Sequence, residues 1–139
     1  MKPGYETFEH GADIGIRGVG KTLEEAFINA AKALFSLMVI NLEEVRPAKK
    51  VQIQAEGENL EELFIDWLNR LLAEAGMENL VFCDFGCQIK NLKLSGWAAG
   101  EPIDPARHEL GEEVKGATYS MLKVTRENDF WIAQCVVDV

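Results

Sequence analysis

The chain has 139 residues, of which 47% are hydrophobic and 27% charged, as in a folded globular protein and unlike a disordered one. This length suits one domain, so residues 1–139 are predicted to share a single core. The 23 acidic residues outnumber the 14 basic ones, and the resulting net charge of −9 argues against a protein that holds nucleic acid by neutralising phosphates. The surplus carboxylates suit a hard cation such as Ca²⁺ or Mg²⁺.

The start of the chain lacks the basic head and apolar core of a signal peptide, and no apolar run reaches the roughly 18 residues of a membrane span. We therefore expect a soluble, cytoplasmic protein. The cysteines Cys83, Cys87 and Cys135 are odd in number and form no Cys-x-x-Cys pair, which argues against a disulfide framework or a zinc site. Cys83 and Cys87 are predicted to be small buried hydrophobic residues.

Hydrophobic periodicity predicts two helices among several strands. An early strand or strand pair spans roughly residues 5–17. The first helix opens at Thr22, which forms a capping box with Glu25, and the second opens at Asn59 and is expected to stop at Gly76. Alternating apolar residues predict further strands over 51–55, over 81–89, from 92 onward, over 122–124 and over 130–139, the last two joined by a turn at Asn128-Asp129.

This order of elements favours an α+β fold, with a mixed or antiparallel β-sheet and two main helices packed on one face. Residues 96–116 are the exception, because they follow no clean period and contain two prolines and four glycines. A loop of this length in a small domain is usually functional or mobile. We predict such a loop here.

Two places in the sequence could carry a cation site. Near the start, Glu9, His10 and Asp13 surround Gly11 just before an apolar strand, which fits either a metal or acid–base site at a strand edge or a solvated turn. At the end, Asp138 precedes only Val139, whose α-carboxylate is a second anion. The repulsion between two such groups favours a bound cation.

If the final strand lies beside the first strands, Asp13 would join Asp138 and Val139 in a compact all-oxygen site suited to Ca²⁺ or Mg²⁺. The alternative is a frayed terminus with a solvent-facing Asp138. Lys115, which follows Glu112 and Glu113, fits either a surface ion pair or a functional cation beside these carboxylates. No catalytic residue is predicted, since Ser120 and His108 form no convincing triad on sequence grounds.

Several short segments, taken in order, resemble the archease family and together span essentially the whole chain. They are residues 10–16, 22–27, 100–104, 107–108, 113–115, 117–119 and 137–139. The resemblance implies a small α+β protein that does not join RNA itself but assists an RtcB-type RNA ligase. That ligase acts in tRNA splicing and RNA repair with GTP and a divalent metal, and the family promotes its guanylylation and multiple turnover.

The resemblance also implies roles for individual residues. The family's metal site falls on Asp13, Asp138 and Val139, with Ca²⁺ as the metal expected in vitro, and its functionally sensitive lysine falls on Lys115. His10 and His108 match further family positions and are expected to help to activate the partner. The implied partner is the ligase, with RNA met only indirectly through it and no membrane involved.

Two positions depart from the family pattern. Gly11 stands where many members have Thr, and Ser120 stands where many have His. If the position of Ser120 contributes to the ligase contact, that contact differs in this chain.

Two other functions compete with this reading. A metal-dependent phosphohydrolase could act through Asp13 and Asp138, but the chain offers too few His and Asp ligands for a two-metal centre. A general chaperone-like interaction module would need an exposed apolar surface.

Overall fold

The computed structural model describes all 139 residues and contains two α-helices and two antiparallel sheets. The helices are α1 (Leu23–Met38) and α2 (Leu60–Glu78). The strands are β1 (Gly4–His10), β2 (Asp13–Gly20), β3 (Lys49–Glu56), β4 (Leu80–Lys90), β5 (Lys93–Pro102), β6 (Gly116–Ala117), β7 (Lys123–Glu127) and β8 (Phe130–Asp138). A short 3-10 helix at Leu42–Glu44 follows α1. The predicted α+β class and antiparallel pairing are confirmed.

The strands separate into two sheets. The five-stranded sheet has the order β1-β2-β8-β6, with β7 also paired to β8, and the three-stranded sheet has the order β3-β5-β4. Strand β8 is therefore flanked on both sides, by β2 on one edge and by β6 and β7 on the other. The sequence patterns predicted every strand except the short β6, but not the division of the strands between two sheets.

Helix α1 lies between the two sheets and touches both. On one side it approaches β2 so closely that a Cβ on Gly18 would lie 2.2 Å from the carbonyl oxygen of Ala26. On the other side the ring of Phe35 packs against Phe82 and Phe85 of β4, with centroids 5.4 and 5.7 Å apart. Each sheet therefore has helix packing on one face and leaves the opposite face outward.

Both predicted helix starts are confirmed. The Thr22 hydroxyl accepts from the backbone N–H of Glu25 at 3.1 Å, and the Asn59 side chain accepts from Glu62 at 2.9 Å. The expected stop at Gly76 was wrong, since α2 runs on to Glu78 and ends at Asn79, which has φ +54. A single glycine costs a helix interior only about 1 kcal/mol, and Asn tolerates the left-handed conformation that ends a helix.

Two hairpins that shape the ends of the five-stranded sheet agree with the sequence. Asn128, with φ +58, and Asp129 join β7 to β8 as predicted. Gly11 and Ala12 join β1 to β2, and Gly11 has φ +63 at the first central position, as in a type II′ turn.

The predicted loop over residues 96–116 was partly wrong, because its first residues belong to β5. Glycines hide the alternation there: a Cβ on Gly100 would lie 1.8 Å from the carbonyl oxygen of Val81 on the neighbouring strand. Residues 103–115 contain no regular helix or strand. Neither helix of the structure has the length and apolar character needed to span a membrane.

Candidate functional site

The two aspartates named from the sequence face each other across a strand pair. Asp13 begins β2 and Asp138 ends β8, and these antiparallel strands place Ile14 opposite Val137. Extending that register by one residue sets Asp13 opposite Asp138. Opposite residues in an antiparallel pair have Cβ atoms about 4.5–5.5 Å apart. The final strand therefore lies beside an early one, as the predicted meeting of Asp13 and Asp138 required.

Both aspartates lie on the outward face of the five-stranded sheet. Ile16 and Cys135 are fully buried on the helix side. Arg17 and Gln134 occupy the other side, where the Arg17 Nε donates to Gln134 at 2.9 Å. Because side chains alternate along a strand, Asp13 shares the face of Arg17, and Asp138 shares that of Gln134.

His10 continues this line of residues onto strand β1, where it is paired with Asp13. We call His10, Asp13 and Asp138 the carboxylate row. The His10 Nε2 lies 3.5 Å from the hydroxyl of Ser120, so the turn after β6 lies next to the carboxylate row. Local sequence patterns do not predict this contact, because Ser120 and His10 are 110 positions apart in the chain.

Lys115 and Val139 flank the row at the end of β8. The backbone N–H of Lys115 donates to the carbonyl oxygen of Asp138 at 2.7 Å, just before β6 pairs Gly116 with Asp138. The Lys115 side chain is exposed, whereas Val139 is half-buried against the core. The structure therefore brings the predicted lysine beside the predicted aspartate through the main chain.

The two aspartates of the carboxylate row have no charged or hydrogen-bonded side-chain partner. No ion pair or side-chain hydrogen bond in the structure involves Asp13, Asp138 or Lys115. Asp13 is half-buried and Asp138 exposed. Two carboxylates that face each other without a neutralising side chain repel, and this repulsion favours the binding of a cation from solution.

The donors of the row suit a hard cation, although they do not form a complete cage of side chains. No group of three or more His, Cys, Asp or Glu side chains is arranged to hold a metal ion. Asp13 and Asp138 would supply only oxygen donors, which Ca²⁺ and Mg²⁺ prefer, and water commonly fills the remaining positions. These residues therefore fit an open Ca²⁺ or Mg²⁺ site rather than a closed structural one.

His108 lies in a different environment, at the end of β5, where it and Glu101 are buried and the exposed Arg107 pairs with Glu101. We call these three residues the buried cluster after its two buried members. His108 is only 2% exposed. Its Nδ1 accepts from the backbone N–H of Asp104 at 3.0 Å, so the proton of the neutral ring sits on Nε2, which donates to Glu101 at 3.2 Å. This histidine makes no contact with the carboxylate row and fastens the start of the segment 103–115 that leads to Lys115.

Glu101 is the centre of this buried cluster. Arg107 donates to one carboxylate oxygen at 2.7 Å, and the backbone N–H of Arg46 donates to the other at 2.8 Å. These bonds, the one from Arg107 first, lower the pKa of the Glu101 carboxyl to about 2 against the desolvation that opposes them. The sequence analysis did not single out Glu101 as a site residue. The only pattern that could have indicated it is a glutamate followed within seven residues by Arg107 and His108.

The cysteines agree only in part with the expectation of small buried residues at Cys83 and Cys87. All three are free, with Cys135 buried and Cys83 and Cys87 half-buried. Desolvation raises the pKa of both the Cys87 and the Cys135 thiols to about 12. Thiols with such pKa values are poor nucleophiles near neutral pH.

The fold and the carboxylate row define a small α+β protein with an open acidic site at one corner of a sheet. Residues 5–139 match the archease protein family. The chain is 44% identical to the protein archease of Pyrococcus furiosus over 140 aligned positions, which cover 97% of this chain and 98% of the relative. It is 42% identical to the archease of Methanopyrus kandleri, with 97% and 99% covered.

Solved structures show the same architecture. A solution structure of a Methanobacterium thermoautotrophicum protein matches with a TM-score of 0.80 and 30% identity, over 98% of this chain and 99% of that one. A Thermotoga maritima archease, described as a possible chaperone, matches in fold with a TM-score of 0.63, 21% identity and 95% and 94% covered. The chain therefore belongs to the archease family, which confirms the resemblance found in its sequence.

Proposed function

We propose that this protein activates an RtcB-type RNA ligase by promoting its guanylylation and multiple turnover in tRNA splicing and RNA repair. The observation that carries the proposal is the β2–β8 register, which sets Asp13 opposite Asp138 with neither carboxylate paired. Family membership supports the partner. On this proposal the protein is an accessory factor rather than an enzyme, and it acts in the cytoplasm.

The proposed metal ligands are the side chains of Asp13 and Asp138 and the α-carboxylate of Val139. A divalent cation held there would supply positive charge next to the phosphates of a nucleotide in the ligase. Lys115 adds a second positive charge beside the row, and an ammonium suits phosphate oxygens as a point charge. His10 borders the row, while His108 acts at a distance by fixing the segment that carries Lys115.

The net charge of −9 supports docking to a cationic surface. A ligase that binds RNA and nucleotide needs a basic site, and complementary charge speeds and orients such an encounter. The same charge predicts that the free protein holds RNA weakly at best.

The decisive experiment measures multiple turnover by a catalytic amount of such a ligase, with GTP, Mn²⁺ and RNA that carries 2′,3′-cyclic phosphate and 5′-hydroxyl ends. We expect the protein to accelerate turnover, and Asp138→Ala and Lys115→Ala to abolish the effect while the circular dichroism spectrum is unchanged. The matched controls are Asp129→Ala and Lys21→Ala, exposed residues outside the row, which should stimulate normally.

Three results would contradict the proposal in different ways. No stimulation by the wild-type protein would refute the activator role. Normal stimulation by Asp138→Ala and Lys115→Ala would refute the assignment of the site alone. Release of inorganic phosphate by the isolated protein would favour the alternative of a metal-dependent phosphohydrolase.

The metal site has its own test in calorimetry with Ca²⁺. We expect binding that is lost in Asp13→Ala and also when two residues are appended after Val139, because both changes remove an oxygen donor. Asp129→Ala should bind normally. If the heat of Ca²⁺ binding is unchanged in the two altered proteins, or if the wild type shows none, the assignment of Asp13, Asp138 and Val139 as ligands is refuted.

A chaperone-like role is the second candidate, and one surface feature favours it. Ile40 and Leu110 are 56% and 51% exposed, and they adjoin through the backbone bridge between Val39 and Leu110. Suppression of aggregation of an unrelated unfolding protein, lost in Ile40→Ser/Leu110→Ser, would support it. No suppression by the wild-type protein would exclude it.

A further inference from the structure

The outward face of the three-stranded sheet is open and polar. On β3, Ile53 and Ala55 turn toward the core, so Gln52 and Gln54 point away from the helices. The pairing register aligns Gln54 with Ser95 and Ser95 with Gln88 in one row across the sheet. We define the open face by Gln52, Gln54, Gln88, Lys90, Lys93 and Trp97.

One end of the open face is cationic in an otherwise acidic protein. Lys90 and Lys93 stand directly opposite each other in the β4–β5 hairpin. They line a cleft of about 480 Å³, together with Glu56 and with Arg70, whose guanidinium also pairs with Asp66 at 3.4 Å. Like charges placed opposite each other destabilise a sheet, and Glu56, which the β3–β5 register sets opposite Lys93, offsets only one of the two. This end of the face therefore favours an anionic ligand, against the −9 charge of the whole chain.

Trp97 provides an aromatic surface in the middle of the face. Its indole lies over Gly86, where a Cβ would come within 2.4 Å of the ring nitrogen, so only glycine admits the ring there. The ammonium of Lys50 sits 4.3 Å from the ring centroid. A nucleobase can take the place of this flexible side chain, which then remains near enough to meet a phosphate.

The amides of the face are free to bind a ligand. Gln52, Gln54 and Gln88 make no side-chain hydrogen bond in the structure. Each offers both a donor and an acceptor, which is what the edge of an unpaired base requires.

We propose that the open face binds a short stretch of single-stranded RNA. Lys90 and Lys93 meet phosphates, Trp97 stacks on a base, and the glutamines bond base edges, as on other sheet surfaces that bind single strands. An acidic peptide would satisfy the lysines but leave Trp97 and the amides unused. Direct contact departs from the expectation that RNA is met only through the ligase, although the net charge keeps the contact weak.

The test titrates the isolated protein into a fluorescently labelled ten-nucleotide uridine RNA at low salt and follows anisotropy. We expect saturable binding, with the logarithm of the association constant falling against the logarithm of the salt concentration with a slope of about −2. The three lysines Lys50, Lys90 and Lys93 would each neutralise a phosphate and contribute about 0.7 to that slope. Lys90→Glu/Lys93→Glu should weaken binding at least tenfold. The matched pair Lys2→Glu/Lys21→Glu makes the same charge change on exposed residues elsewhere and should weaken it less than threefold.

The aromatic platform is tested separately by Trp97→Ala, which should weaken binding, and by Trp97→Phe, which should largely restore it. No binding at millimolar protein, equal losses in the two charge-reversed pairs, or equal binding of a decaglutamate peptide would overturn the proposal. No ligase is present in this experiment, so its failure leaves the activator role untouched.

Discussion

Acidic side chains meet opposite circumstances in two regions of this protein. In the buried cluster, Glu101 accepts bonds from Arg107, His108 and the backbone of Arg46. In the carboxylate row, Asp13 and Asp138 have no such partner. The comparison teaches that residue type does not separate a structural acid from a ligand-binding one. The local supply of donors does, because a carboxylate that already accepts three hydrogen bonds, as Glu101 does, has at most about one lone pair left for a ligand.

The largest expected effect on stability comes from Glu101→Gln. The change removes a nearly buried charge that three donors stabilise, so we expect a loss of about 2–3 kcal/mol in the free energy of unfolding. Urea denaturation measures it. Glu113→Gln, at an exposed residue in the adjoining loop, is the matched control and should change stability by less than about 0.5 kcal/mol. Equal losses of unfolding free energy in Glu101→Gln and Glu113→Gln would show that the hydrogen bonds of the buried cluster do not stabilise the fold.

Acid should weaken the same cluster. The pKa of Glu101 is lowered from 4.5 to about 2 in the folded protein, so its contribution is complete above pH 4.5 and is lost as the pH falls toward 2. The loss over that window amounts to about 3 kcal/mol at most. Urea denaturation between these pH values should show a steeper fall for the wild type than for Glu101→Gln. Parallel curves would contradict the low pKa.

A smaller effect is expected at the hairpin that presents the carboxylate row. Gly11 has φ +63 and open space around it, so Gly11→Ala should cost about 1 kcal/mol through backbone strain alone. Gly76→Ala, at a helical glycine with equally open surroundings, should instead stabilise by about 0.5–1 kcal/mol. Thermal unfolding distinguishes them, and changes of the same sign would refute the turn geometry.

The smallest expected change is in the carboxylate row itself. Asp13→Asn relieves repulsion and breaks no bond, so stability without metal should stay within about 0.5 kcal/mol of the wild type. Added Ca²⁺ should raise the Tm of the wild type but not of Asp13→Asn. A loss comparable to that of Glu101→Gln would mean that Asp13, too, is a structural acid.

Much of the fold could be predicted from local patterns. The caps at Thr22 and Asn59, the turn at Asn128-Asp129 and the alternating strands each depend on chemistry within a few residues. The division into two sheets could not be predicted, because it depends on how close packing at glycines such as Gly18 lets a helix fit between them. Gly100 likewise interrupts the apolar alternation of β5, so the second half of that strand was predicted as a loop.

The site was predictable to the extent that charge and resemblance could reveal it. Asp13 and Asp138 stood out as acids beside apolar strands, and the register now explains how they meet. Neither the contact between His10 and Ser120 nor the burial of His108 could be foreseen. The first depends on residues 110 positions apart in the sequence. The second depends on how the irregular segment after β5 folds back, so that His108 reaches Asp104 and Glu101.

The central position of β8 has a consequence for how the protein matures. Strands β2 and β8 meet across a long stretch of chain, with 117 positions between Arg17 and its partner Gln134. Such distant pairings form late in folding, and β8 leaves the ribosome after the other seven strands. In a nascent or partly unfolded chain that lacks the β2–β8 pairing, Asp13 has no Asp138 opposite it. Cation binding at the row would thus report that the whole domain has assembled.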